Sequence, residues 1–515
     1  MNTRRVSICA HFRCILAVFL AYFILSACSV VEAVSASNEQ VIGGGMGVAS
    51  AAQATCPNPQ NSDLDYNCRL GPTYLIPGLT DLNGWTKPSQ YQNILLGDLD
   101  GDGVDELVAR GAAGIQVYRF DRPRGQWTQV QSRTSPTNKT TILSDAVIGT
   151  DAEHRKYWDT IRLGDIDGDG KDELVVRLST GVVVFRFTPF PQKSDWDSGI
   201  WEQVTASGPL ADTDAFAHGG HWGDDPSNYS TIRLAPIGRL GAKPTMQLVG
   251  RGRDGVELFR WNGTGWTQLT TLPDLSSAEG FDAPEYYTTI LIWNDILLAR
   301  FPSGMRAYEF NASSGPWRLL ASDGPLADAA GWNKPEYYST IQLFHFRSGG
   351  GGGDIPLFAA RGSNGVEVCG LFSRTWLTFV PPDNVRPLSD ADGFAQPQYY
   401  RTIQSADIDG DGFDELLARR AGGIVIYRLD PDSDKWSGPI SADEPALADD
   451  PWAKDTSYYT AIKTVRLDPT RRRAPCWRAG LMESARGAST PAPRPGRGTC
   501  PTGTSRPWMR PPSPL

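Results

Sequence analysis

From about residue 91 onward, apolar positions fall in short runs separated by Gly- and Asp-rich turns. In Ile115-Gln116-Val117-Tyr118-Arg119-Phe120 side chains alternate inward and outward, the period of a half-buried strand. Residues 91–97 and Glu106-Leu107-Val108-Ala109-Arg110 precede it as two further strands, and Trp127-Thr128-Gln129-Val130 follows as a fourth. Residues 173–177, 182–187 and 201–204 repeat the order, as do 415–419, 424–429 and Trp436. A Tyr-rich strand opening recurs seven times, ending at Ile94, Ile161, Ile232, Ile290, Ile341, Ile403 and Ile462. Self-similarity at a long period marks a repeat architecture.

One unit of four short antiparallel strands cannot bury both of its faces. Sheets stacked around an axis can. The pattern therefore predicts an all-β chain, a seven-bladed β-propeller of four-stranded antiparallel blades over residues 79–467. The last blade is incomplete, because strand alternation vanishes after Leu467. Residues 468–515 read as a disordered basic, Pro-rich tail, or as a final blade lost to a shifted reading frame. Ring closure would then need a strand from elsewhere, and residues 72–77 are the candidate.

The chain's start has a different character. Arg4 and Arg5 precede an uncharged apolar stretch over residues 14–27, suited to a signal-peptide core and too short to span a bilayer. Residues 1–36 are expected to be a targeting segment and 37–78 an N-terminal segment. Leu25-Ser26-Ala27-Cys28 has the form of a lipobox, which makes Cys28 a candidate lipid anchor; simple secretion is the competing reading. No later stretch approaches membrane length, so the expected location is extracellular or at the cell surface. Cys56 and Cys68 form a close pair that suits a disulfide in an oxidising compartment, and Cys369 reads as a buried apolar filler. A net charge of −9 argues against nucleic acid, whose binding requires a basic face.

Three repeats carry the same acidic string at the same place: residues 98–106 (DLDGDGVDE), 165–173 (DIDGDGKDE) and 407–415 (DIDGDGFDE). Five carboxylates in so short a loop repel one another unless a cation joins them. Calcium takes about six to eight oxygens, which alternate carboxylates, a sharp Gly turn and a backbone carbonyl can supply. The expected ligands of about three Ca²⁺ ions are Asp98, Asp100, Asp102, Glu106 and the Val104 carbonyl in the first loop. The second offers Asp165, Asp167, Asp169, Glu173 and the Lys171 carbonyl, and the third Asp407, Asp409, Asp411, Glu415 and the Phe413 carbonyl. Asp105, Asp172 and Asp414 are expected to face water or cap the turn. A strand rather than a helix follows each loop, so these are not EF-hands. Followed by DEL and an alternating strand, the strings resemble the FG-GAP/VCBS repeats of the integrin α-subunit propeller and of many exported bacterial proteins. The resemblance implies that each loop joins the first and second strands of a blade and holds calcium. Repeats three, four and five lack the carboxylates, and no calcium is expected there.

Catalytic signals are sparse. His218 and His221, with Asp224 or Asp225, could ligate a metal, though the motif occurs once; His154 and His345 stand alone. There is no GxSxG, HExxH or P-loop. Trp85, Trp222, Phe281, Trp332, Phe394 and Trp452 recur ahead of the strand-opening tyrosines. They could stack on sugar rings or anchor a protein at one rim, or plug the seams between blades. The expected role is a non-enzymatic binding module for a carbohydrate or a cell-surface protein. The alternative is a polysaccharide-active lyase or hydrolase on the same scaffold.

Overall fold

A computed structural model describes residues 32–39, 46–55, 69–80, 83–121, 124–133, 142–148, 157–190, 198–212, 222–223, 225–237, 245–311, 315–345, 357–379, 386–408, 413–430, 435–439 and 456–465. Within them the chain forms a β-propeller. Blade 1 is built of Ile94–Gly97, Glu106–Gly111, Gly114–Asp121 and Gln126–Arg133. Blade 2 has Arg162–Gly164, Glu173–Leu178, Gly181–Pro189 and Ser198–Gln203, and blade 3 has Arg233–Ala235, Gln247–Gly252, Gly255–Trp261 and Trp266–Leu272. Blade 4 has Leu291–Trp293, Ile296–Phe301, Gly304–Phe310 and Trp317–Ala321. Blade 5 has Gln342–Leu343, Leu357–Gly362, Gly365–Phe372 and Thr375–Phe379; blade 6 has Gln404–Ala406, Glu415–Arg420, Gly423–Asp430 and Lys435–Ser437. Each blade is a meander in which successive strands pair antiparallel. Blades 1 and 2 also meet edge to edge, Gln131–Arg133 running parallel to Ser198–Ile200.

The expected seven blades are thus corrected to six. Among the described residues the seventh repeat supplies a single strand, Lys463–Val465, and no alternating pattern follows it in sequence to build three more. This strand pairs antiparallel with Glu32–Glu39, and Met46–Thr55 and Arg69–Thr80 extend the sheet. The candidate closing stretch, residues 72–77, lies in that sheet but at its far edge. The composite sheet sits between blades 6 and 1: Tyr459 and Ile462 join the core of blade 6, while Ala461, Ile76 and Leu79 join that of blade 1. The candidate signal core, Cys28, the Cys56/Cys68 pair and residues 468–515 lie outside the described residues.

Burial explains the strand pattern. Second strands are covered on both faces, as Leu107, Val108 and Ala109 show, so they read as continuous apolar runs. Across strands three and four, aromatic pairs face each other in register: Phe120 with Trp127, Phe187 with Trp201, Trp261 with Trp266 and Phe310 with Trp317, their centroids 5.0–5.4 Å apart. That spacing is the favourable range for tilted rings. The hairpin between strands two and three needs glycine. At Gly304 φ is +115°, and an added Cβ would sit 2.1 Å from the Gly324 carbonyl oxygen.

The seams are polar and built alike. Every second strand ends near an arginine that is almost wholly buried: Arg110, Arg177, Arg251, Arg300, Arg361 and Arg419. In the first five blades its Nε donates to a backbone carbonyl, of Leu143, Leu210, Leu275, Leu326 and Leu388 in turn. Four of those leucines, all but Leu275, hold a positive φ of 55–68°, a strained setting for a branched side chain. Two residues on, Asp145, Asp212, Asp328 and Asp390 form ion pairs with their arginines, and Ser277 takes that place in blade 3. The guanidinium also lies over a tyrosine of the following repeat: Tyr229, Tyr287, Tyr338, Tyr400 and Tyr459 for Arg177 through Arg419, at 4.2–4.5 Å. Cation, ring and carboxylate together weld one blade to the next.

A threonine in the opening turn completes the joint. Thr340 Oγ1 donates to Tyr337 O at 2.7 Å and accepts the Arg361 N–H at 2.9 Å. Thr340→Val keeps the shape but strands a buried N–H, so urea unfolding is expected to show a loss of about 1 to 3 kcal/mol. A loss within error would mean that water or a shifted strand takes over the bond.

Candidate metal centre

The first two acidic strings turn tightly between the first and second strands of their blades, and two glycines in each make the turn feasible. Gly101 and Gly103 have φ of +82° and +88°, and Gly168 and Gly170 +82° and +94°, the left-handed region that glycine enters without strain. Their N–H groups point at the first aspartate. Asp98 Oδ1 accepts from Gly101 at 2.7 Å and Oδ2 from Gly103 at 2.9 Å, and Asp165 does the same with Gly168 and Gly170 at 2.6 and 2.9 Å. The turn is therefore already folded around its lead carboxylate.

Asp98, Asp100 and Glu106 each offer an oxygen, all within 4.8 Å of one another, and Asp165, Asp167 and Glu173 repeat the arrangement. Asp102 is turned differently: its Oδ1 accepts the Val104 N–H at 2.8 Å, and Oδ2 is 3.8 Å from an Arg119 nitrogen. Asp169 likewise accepts from Lys171 N–H at 2.8 Å. In the third loop Asp407 and Glu415 are buried and Phe413 is half-buried, while Asp409 and Asp411 lie outside the described residues. The registers that hold Glu106, Glu173 and Glu415 in blades 1, 2 and 6 hold Gln247, Ile296 and Leu357 in the other three.

The buried glutamate distinguishes the loops. Its Oε2 accepts a backbone N–H in every case, from Leu99 at 2.9 Å, Ile166 at 3.2 Å and Ile408 at 2.7 Å. In the second loop Oε1 of Glu173 meets Arg186 Nε at 3.1 Å, and the same guanidinium grips Asp167. In the third, Arg428 Nε is 3.9 Å from Glu415 Oε1. Glu106 Oε1 is buried with no hydrogen-bond partner among the described residues. Burial, then the charge of Asp100, pushes the Glu106 carboxyl well above the usual range; burial, then Asp167, raises Glu173 to about 7. A buried carboxylate oxygen with nothing to bind is costly, and a hard cation held by oxygens removes that cost. The residues of the first loop fit such an ion.

Asp105, Asp172 and Asp414 depart from expectation. All three are buried rather than facing water. Asp172 accepts the Asp98 N–H of the preceding blade at 3.0 Å and donates its own N–H to Asp98 O at 2.7 Å. Asp414 makes the same pair of bonds with His345, at 2.6 and 2.9 Å. The Asp172 and Asp414 carboxylates each clasp the neighbouring blade, because the turn aims them into the seam. The interblade aromatics are also buried: Trp85, Trp222, Phe281, Trp332 and Phe394 are at most 5% exposed, which fits seam plugs and leaves none of these five rings for stacking on a sugar. Trp452, His154, His218, His221 and Asp224 lie outside the described residues, and Asp225 caps a short turn through Ser227 N–H. The seam arginines were not singled out by sequence, although Arg at one register and Leu-Ala/Ser-Asp some way downstream recur visibly.

Residues 98–176 match the FG-GAP-like repeat family. The matched segment contains both fully described acidic loops and the Asp98–Asp172 clasp between them. No curated protein matches the chain. Among solved structures, a lectin of Agrocybe aegerita, described with its recognition of non-reducing terminal N-acetylglucosamine, is similar at 13% identity with a TM-score of 0.54, over 85% of this chain and 94% of the lectin. A protein from Lactobacillus plantarum aligns at 10% identity with a TM-score of 0.35, over 81% of this chain and 96% of that one. Beyond the matched segment, the likeness to the lectin speaks to fold alone.

Proposed function

We propose that the chain is an exported, calcium-binding propeller that serves as a carbohydrate-binding module at a cell surface. The observation that carries the metal half is Glu106 Oε1, a buried carboxylate oxygen without a hydrogen-bond partner beside Asp98 and Asp100. Calcium fits that oxygen set better than magnesium, which keeps much of its water. The ions act as staples: they hold loops that tie neighbouring blades together and stand away from any reacting group. The apolar leader at the N-terminus supports export, and the propeller likeness to a lectin supports a sugar ligand. Among the described residues no helix is long and apolar enough to cross a membrane.

Calorimetric titration of the metal-free protein with Ca²⁺ tests the first half. Uptake is expected, and Glu106→Gln should weaken one site by about tenfold or more, since a neutral amide cannot replace a carboxylate ligand. Absence of uptake ends the reading. A glycan array, probed with calcium and with chelator, tests the second half: retention of no glycan by the folded protein would remove the carbohydrate role.

A further inference from the structure

At the axis the first strands present one equivalent side chain per repeat. Register with the second strands aligns Leu95, Arg162, Arg233, Leu291, Gln342 and Gln404, and the lone strand of the seventh repeat adds Lys463. The ring holds three cations and no carboxylate. Several members reach round to the next strand: Arg162 Nε donates to Ile232 O at 2.8 Å, and Gln404 Nε2 to Ile462 O at 2.9 Å. Arg162 Nη1 is used on Asp159 O and Ile161 O, both at 2.8 Å, and Arg233 Nη2 makes one long contact of 3.4 Å with Thr288 O.

None of the three cations forms an ion pair among the described residues, and the Lys463 ammonium has no hydrogen bond there. The seam arginines next door, by contrast, are matched to carboxylates in four of six blades. The axial cations also sense one another across the ring. Burial first, then the charge of Arg162, pushes both Arg233, to about 10, and Lys463 down, while Asp159 is the one acid that offsets Arg162. Gathering like charges on a net-acidic protein is unfavourable unless something negative occupies the space between them.

We propose that Arg162, Arg233 and Lys463 form an oxyanion site on the propeller axis, taking a carboxylate or sulfate group. The Arg162 Nη2 group, the Arg233 guanidinium and the Lys463 ammonium suit planar or tetrahedral oxygens, which accept several charge-assisted hydrogen bonds at once. The site stands about 10 Å along the first strands from the acidic loops, three residues back from Asp98 and Asp165. It needs no metal, so it stands or falls separately from the calcium reading.

Calorimetry in low salt, with chelator present, would use inorganic sulfate, tri-galacturonate and neutral maltotriose. Sulfate and tri-galacturonate are expected to bind and maltotriose not to. Lys463→Gln and Arg233→Gln should each weaken the anions by about tenfold, the loss of one charge-assisted contact. Tighter binding of tri-galacturonate than of sulfate would assign the site to a saccharide-borne anion, and the reverse order to a free one. Lys463→Gln removes no hydrogen bond, so an unchanged melt and circular dichroism spectrum will show that it folds. Unchanged anion affinity in both folded variants, or equal binding of maltotriose, overturns the proposal.

Discussion

Arg177→Ala is expected to lower the free energy of unfolding by about 3 to 5 kcal/mol, the cost of breaking a buried ion pair from one side. The guanidinium is fully buried and its bonds run in three directions, to Leu210 O at 2.7 Å, to the Tyr229 hydroxyl at 2.6 Å and to Asp212. Tyr157 and Tyr229 flank it, 5.2 and 4.5 Å away. Alanine leaves a cavity, a carbonyl without its donor and a carboxylate without its cation. It also releases Leu210 from the left-handed conformation that the arginine holds in place. Lysine keeps the charge but not the planar fork, so Arg177→Lys should recover little. Urea unfolding is the measurement, and a loss below about 1 kcal/mol, the scale of a surface ion pair, would show that apolar packing alone joins blades 2 and 3.

Calcium should stabilise the fold. A site that binds only the native state adds about 2.7 kcal/mol when the free ion exceeds its dissociation constant a hundredfold. Protons and calcium compete for the same buried carboxylates, which gives the effect a sign in pH. The Glu173 carboxyl is raised from 4.5 to about 7, with burial the main cause. A carboxyl whose pKa is raised on folding favours the native state while protonated. Its contribution is fully present below the unfolded value and is lost as pH climbs from 4.5 through about 7. In chelator, the difference in melting temperature between the wild type and Glu173→Gln should therefore fall across that window. With calcium bound the carboxylate is the favoured form, and the trend should flatten or reverse. No calcium-dependent shift at any pH, or the same pH trend with and without the ion, would sink the metal role of this loop.

Much of this was legible along the chain. Period-2 runs such as Ile115–Phe120 and the recurring Tyr-x-Thr-Ile opening require only local geometry, so strands and blades could be placed before any contact was known. The acidic loops were equally plain, because the carboxylates proposed to hold one ion lie within nine residues. The number of blades was not: the seventh opening looks like the others, but its remaining strands had to come from residues distant in sequence, and pairing of Lys463–Val465 with Glu32–Glu39 is a long-range event. Asp172 was misplaced for a similar reason. As a turn residue it resembles a cap, and the Asp98 N–H that it binds belongs to another blade.

Sequence by itself determined the strand order, the repeated unit and the oxygen-rich turns, since each depends on neighbours a few residues away. Tertiary structure alone decided what occupies the seams and the axis. Arg110 and its counterparts look like surface charges at the ends of strands until packing encloses them, in five blades with a tyrosine and in four with an aspartate. Arg162, Arg233 and Lys463 become one group only when ring closure sets equivalent positions of separate repeats face to face, because Coulomb interactions depend on distance through space and not along the chain.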